Sequence, residues 1–348
     1  MAIDYCQEIA DIISDYRQHD RKSGSLDTVF NKYHVERWIS QFDNNQDIIL
    51  EETANLLSEY YFPEGTIVDY LETIYSSNKI WGSRISNAIS DTIFLDCQSK
   101  GHSQHELYIK SRNIILDLYG VDINDYDTDS KNFLYVDDCL FSGNTLRKDI
   151  LNLLGDIPNG STIDAVFIAV HSFSQWWVKQ TLKEILDEKN ITLNIWSFKE
   201  IQNSGGKNLR YECLWPIEYC SELLDKYLQL IDQEANDNPE KKVRLFRETK
   251  YTGGPYTSNT NRVIFEQELM EAGLKIMGFC ENPKQYMRPM GFDNRISFGF
   301  GAFFATHMNM SNNCPLAFWW GDPNANSWHP LSRWYPLLPR KTNEPGGW

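Results

Sequence analysis

The 348-residue chain lacks any apolar run approaching the ~18–20 residues needed to cross a bilayer. Its start, Met1-Ala2-Ile3-Asp4, lacks the basic and then apolar segments of a secretory leader. No membrane span and no secretion are expected, and a cytoplasmic location is. The seven cysteines (Cys6, Cys97, Cys139, Cys213, Cys220, Cys280, Cys314) lack close pairs, so their spacing offers neither a disulfide framework nor a CxxC zinc site. There is no excess of positive charge either: 33 Lys and Arg stand against 48 Asp and Glu, a formal charge of −15. That balance excludes coating of a nucleic-acid backbone through the net field. Neither an HExxH arrangement nor a Ser-His-Asp or Cys-His signature stands out, and there is no internal repeat.

What is present is unevenly distributed. Residues 1–239 carry 20 basic and 39 acidic side chains, residues 240–348 carry 13 and 9, and five of the 11 tryptophans (Trp319, Trp320, Trp328, Trp334, Trp348) fall at the end. Apolar spacing predicts a helical N-terminal part over 1–80, with helices near Asp4–Tyr16, Leu50–Tyr61 and Ile67–Tyr75. From residue 90, short apolar strands (Thr92–Leu95, Phe133–Val136, Ile163–Val170, Ile191–Phe198) alternate with helices Glu106–Leu118, Leu146–Leu154 and Trp176–Glu188. One helix between successive strands implies an open parallel α/β sheet over 81–232, with binding sites at the carboxyl ends of the strands. The polar stretch Asp232–Lys242 reads as a linker to an α+β, aromatic-rich C-terminal module over 243–348.

The stretch Phe133-Leu134-Tyr135-Val136-Asp137-Asp138-Cys139-Leu140-Phe141-Ser142-Gly143-Asn144-Thr145 carries the chemistry. An apolar strand is expected to end in two carboxylates, followed by a small turn and a helix. Gly143 permits backbone angles closed to other residues, so successive N–H groups can turn inward beside the positive helix N-terminus. Ser142 and Thr145 add hydroxyls, while Asp137 and Asp138 are acceptors suited to the 2′- and 3′-hydroxyls of a ribose. A phosphate and a vicinal diol side by side describe a ribose 5-phosphate; a plain helix-capping turn is the simpler alternative.

With these residues in this order, the chain resembles the type I phosphoribosyltransferases. The resemblance implies that family's fold, its substrate phosphoribosyl pyrophosphate and its Mg²⁺. It assigns the ribose to Asp137 and Asp138, with Mg²⁺ reached only indirectly through the substrate, and the 5′-phosphate to Phe141, Ser142, Gly143, Asn144 and Thr145. The family also needs a pyrophosphate loop after an earlier strand. Asp96-Cys97-Gln98-Ser99-Lys100-Gly101-His102-Ser103-Gln104 stands at that place, with Lys100, Gly101 and neutral donors, although Lys-Gly pairs also occur in ordinary turns. His102 and His105 do not complete a metal-ligand pattern.

The C-terminal region has no counterpart in salvage enzymes. Together with Val35–Phe42, Lys100–Gln104 and the tail Asn313–Gly321 leading to Trp334–Arg340, it resembles phosphoribosyltransferase-like effectors of prokaryotic anti-phage systems, some encoded beside retron reverse transcriptases. That implies a glycosyltransferase acting as a restrained toxin, a reverse transcriptase–msDNA complex as partner, and a nucleotide or RNA acceptor. A non-catalytic ribose-phosphate sensor and a salvage enzyme are the alternatives. Trp319, Trp320, Trp328 and Trp334 could stack on bases, with Arg333, Arg340 and Lys341 on phosphates, or fill a core, the reading tryptophan's large apolar area favours. His307, Asn312, Asn313, Asp322 and His329 could line an acceptor pocket or satisfy turns.

Overall fold

The computed structural model describes residues 3–98, 103–125, 129–203, 210–247, 254–280, 283–284 and 286–341. The chain divides into two compact units, Glu64–Asn203 and the combination of Met1–Pro63 with Ser204–Trp348. This partition differs from the three-part reading (1–80, 81–232, 243–348). Residues 1–63 share a core with the C-terminal region, and residues 64–80 group with the sheet.

In the first unit, helix α1 (Glu64–Tyr75) precedes strand β1 (Ile93–Leu95) and helix α2 (Ser103–Tyr119). Strand β2 (Asn132–Leu140), helix α3 (Asn144–Leu153), strand β3 (Thr162–His171), helix α4 (Ser172–Glu188) and strand β4 (Thr192–Ile201) follow. The four strands pair in the order β1-β2-β3-β4, all parallel. Both faces are covered, which is why Ile163–Val170 is almost continuously apolar rather than alternating. On one face Phe133, Tyr135, Ile163, Ala165 and Phe167 pack against Leu146 and Ile150 of α3 and Val178, Leu182 and Leu186 of α4, at the i, i+4 spacing of an apolar helix stripe. On the other face Phe94 meets the rings of Tyr75 and Trp81. This is a mixed α/β fold built on a parallel sheet, as the alternation of strands and helices implies.

Strand β2 departs from expectation. It does not stop before the acidic pair but runs through it to Leu140, with Asp137 beside Phe167 and Leu140 beside Val170 of β3. Pairing along a buried neighbour outweighs the poor strand propensity of aspartate.

In the second unit, Asp232–Asp237, expected to be linker, continues the helix Glu222–Asp237, where Glu234 grips Arg288 bidentately at 2.7 and 2.8 Å. Trp38 stacks on Phe318, and its indole N–H donates to the Ala317 carbonyl at 2.9 Å. Trp319, Trp320 and Trp334 are fully or almost fully buried, so they fill this core and cannot stack on bases, whereas Trp328 is 74% exposed. The polar residues of the region satisfy turns: Asn313 donates to the Phe292 carbonyl, and Asp322 and His329 accept from backbone amides two residues on. No helix among the described residues is long and apolar enough to cross a membrane.

Phe167 lies in the buried cluster that β3 shares with α3 and α4. Phe167→Ala should destabilise the fold by about 3–5 kcal/mol in urea titration, the usual cost of an aromatic cavity; a loss below about 1 kcal/mol would show that this face tolerates repacking.

Candidate functional site

The site is built at the carboxyl end of β2, where the open sheet places ligands. Phe141 is buried, Ser142 and Thr145 are exposed, and Gly143 occupies the position before α3 with φ 75°. A Cβ on Gly143 would sit 2.4 Å from Val178 Cγ2 and 3.3 Å from Trp177 Cε3. Glycine is therefore required twice, by the left-handed backbone and by the approach of α4. The same helix fixes the loop from the other side, because Ser174 Oγ donates to the Phe141 carbonyl. The first amides of α3 have no intrahelical acceptor and face the loop mouth with the positive end of the helix dipole. Gly143, at the cap position, has no side chain to offer, and Ser142 Oγ accepts from the Asn144 amide at 3.3 Å.

Asp137 and Asp138 are not equivalent. Consecutive residues of a strand project to opposite faces, and Asp137 shares the α3/α4 face with Tyr135. Its carboxylate is buried and surrounded by donors: Gln98 Nε2 reaches Oδ2 at 2.5 Å, while Ser103 Oγ at 3.0 Å and the Asp138 amide at 2.8 Å reach Oδ1. Burial, and then the charge of Asp138, hold the Asp137 carboxyl well above the usual carboxylate range. Asp138 is half-buried, and its Oδ1 accepts from the Cys139 amide at 2.7 Å.

Sequence reasoning missed the connections behind Asp137. Gln98 also donates to the Tyr135 hydroxyl at 2.9 Å, and Tyr135 in turn donates to Asp149 of α3 at 3.0 Å. Burial raises the pKa of Asp149 and, together with the Asp149 charge, pushes the Cys97 thiol up to about 12, so Cys97 is no nucleophile near neutrality. Gln104, itself buried, turns the chain by accepting from the amides of Cys97 and Gln98 at 2.8 and 2.9 Å. The period-2 pattern that puts Tyr135 beside Asp137 was the one available signal for this network.

Of the pyrophosphate-loop residues, Gln98, Ser103 and Gln104 converge on Asp137 or its neighbours. Ser99, Lys100, Gly101 and His102 lie outside the described residues. His105 pairs with Asp96 at 2.6 Å. Among the described residues no group of three or more His, Cys, Asp or Glu could hold a metal ion. Both Asp137 oxygens already accept hydrogen bonds.

The profile of the PRTase-CE family matches residues 35–340, spanning both units. No curated protein and no solved structure matches the chain.

Two measurements check this geometry. Gly143→Ala must move Val178 or α4, and should lower both the urea midpoint and any phosphate binding; an unchanged midpoint would contradict the packing. For Asp137, a folded-state pKa above the unfolded value means the folded chain binds the extra proton, so this group's contribution to stability falls as pH rises from about 4 through that raised pKa. Asp137→Asn should flatten the fall in urea midpoint across this window, and an identical pH profile in the variant would reject the shift.

Proposed function

Because the chain belongs to the PRTase-CE family of phosphoribosyltransferase-like proteins, we propose that it binds phosphoribosyl pyrophosphate and transfers or hydrolyses the phosphoribosyl group. The observation that carries this reading is the turn Phe141–Thr145, pressed into shape by α4 at Gly143 and immediately following the acidic pair. In it, the α3 amides with Ser142 and Thr145 hold the 5′-phosphate. Asp138, the more open acid, takes the ribose hydroxyls. Asp137 fixes Gln98 and Ser103, the flanks of the segment where Lys100 and Gly101 would meet the pyrophosphate.

When bound with the substrate, Mg²⁺ neutralises the departing pyrophosphate. The bond from C1′ to pyrophosphate breaks and an acceptor atom, or water, forms the new bond to C1′. The chain's own residues orient the two partners, a contribution that needs no nucleophilic side chain. The anti-phage effector role, with a nucleotide or RNA acceptor and a restraining reverse transcriptase–msDNA partner, belongs to this proposal and rests on the resemblance alone. A sensor without chemistry is the second reading, favoured by the three hydrogen bonds that already engage Asp137.

Calorimetry with phosphoribosyl pyrophosphate and Mg²⁺ tests the binding. The unaltered protein should bind, and Asp138→Asn should weaken binding at least tenfold, about 1.4 kcal/mol. Absence of heat at millimolar ligand would sink the proposal. Binding without pyrophosphate release, on incubation with nucleobases, nucleotides or RNA, would select the sensor.

A further inference from the structure

A second concentration of cationic chemistry lies in the unit formed by residues 1–63 and 204–348, around Trp215. That residue is fixed on every side. Its amide donates to Glu266 Oε1 at 3.0 Å, its carbonyl accepts from Arg247 Nε at 2.9 Å, and its indole N–H donates to the Leu245 carbonyl. Glu266, fully buried, is gripped by Arg247 Nη2 at 2.7 Å and Arg262 Nε at 2.8 Å. Burying such a cluster is costly and adds little stability over apolar packing. Here it orients one indole.

The exposed use of that indole is to hold Arg244. The guanidinium lies 3.6 Å from the ring centroid, a close cation–π stack. Arg244 is half-buried yet has no hydrogen-bonded or ion-paired partner among the described residues. Arg295 and Asp293 both act on it electrostatically. The Asp293 carboxylate, however, already accepts from Arg295 at 3.0 Å and from Ser297 at 2.7 Å. Burial and the Arg295 charge lower the Arg244 pKa, against the opposite pull of Cys213, Asp293 and Tyr211. Arg288 has Glu234 and Arg247 has Glu266, but among the described residues Arg244 has no ion-paired carboxylate.

We propose that Arg244, stacked on Trp215 with Arg295 beside it, binds the phosphate group of a small phosphoester. A planar guanidinium held flat offers a fixed fork of N–H donors that matches an oxyanion bidentately. Among the described residues, two guanidiniums face the Asp293 carboxylate and leave a positive surplus, and the three terminal oxygens of a phosphate monoester can meet the Arg244 fork and still offer an oxygen to Arg295, which the two oxygens of a carboxylate cannot. The site is independent of the Gly143 turn and stands without the function proposed for it.

Calorimetric titration of the full chain with inorganic phosphate tests this, with the turn disabled by Thr145→Asp, an exposed position where an acid suits the helix N-terminus and repels phosphate. Thr145→Asp should still bind one phosphate. Adding Arg244→Gln should weaken that binding at least tenfold, and Arg244→Lys, which keeps the charge but loses the fork, several-fold. Thermal melting confirms folding, and if Arg244→Gln does not fold, Arg244→Lys decides. No phosphate bound by Thr145→Asp at millimolar concentration, or unchanged affinity after substitution of Arg244, overturns the site. Acetate binding as tightly as phosphate overturns the choice of ligand.

Discussion

The closest constraint in the sheet unit is the approach of α4 to the loop after β2. Val178 stands where a methyl on Gly143 would be, and Ser174 Oγ holds the Phe141 carbonyl. The helices α3 and α4 bury Leu146, Ile150, Val178 and Leu182 on one sheet face, so packing of that face sets where α4 begins. Its first turns then set the path of residues 141–143, and these aim the first amides of α3. Core packing and the turn are thus one structure. A change in the apolar stripe of α4 reaches the turn without touching a polar group, because close-packed interiors transmit displacements.

Burial separates two neighbouring acids into two roles. Because β2 continues to Leu140, Asp137 and Asp138 point to opposite faces, and only Asp137 enters the chain of contacts Gln98, Tyr135 and Asp149. A buried carboxyl with three donors is a positioning group: it ties the start of α2, through Ser103, to the strand that bears the site. Asp138 keeps the more open position. Strand geometry thus gives two adjacent acids different surroundings, one inner and one outer.

Much of this was legible in the sequence where the signal is local. Ile163–Val170 reads as a strand because it is apolar at every position but Asp164, and β3 spans Thr162–His171. The turn at Gly143 is legible for the same reason: the order strand, acids, small residues and helix spans few residues. What failed was non-local. The extension of β2 through two aspartates depends on pairing with β3. The helical state of Asp232–Asp237 is fixed in part by Glu234 and Arg288, 54 residues apart. The joining of residues 1–63 with the C-terminal region rests on pairs such as Trp38 with Ala317, separated by 279 residues. No period in either segment carries that information.

The charge asymmetry of the chain changes meaning once these partners are known. The C-terminal third has 13 basic residues to 9 acidic ones, which in sequence resembles a nucleic-acid surface. In the structure Arg247 and Arg262 enclose Glu266, Arg288 holds Glu234, Arg295 holds Asp293 and Lys341 faces Asp20. Arg340 donates to the Met310 carbonyl and lies over Trp319. Cations bound in this way cannot release counterions from a phosphate backbone, and affinity for such a backbone grows with each phosphate neutralised, about 0.9 of a salt-slope unit apiece on duplex DNA. Among the described residues, the positive balance of the C-terminal third is therefore largely taken up by partners within the chain, and a residue count alone does not describe a surface.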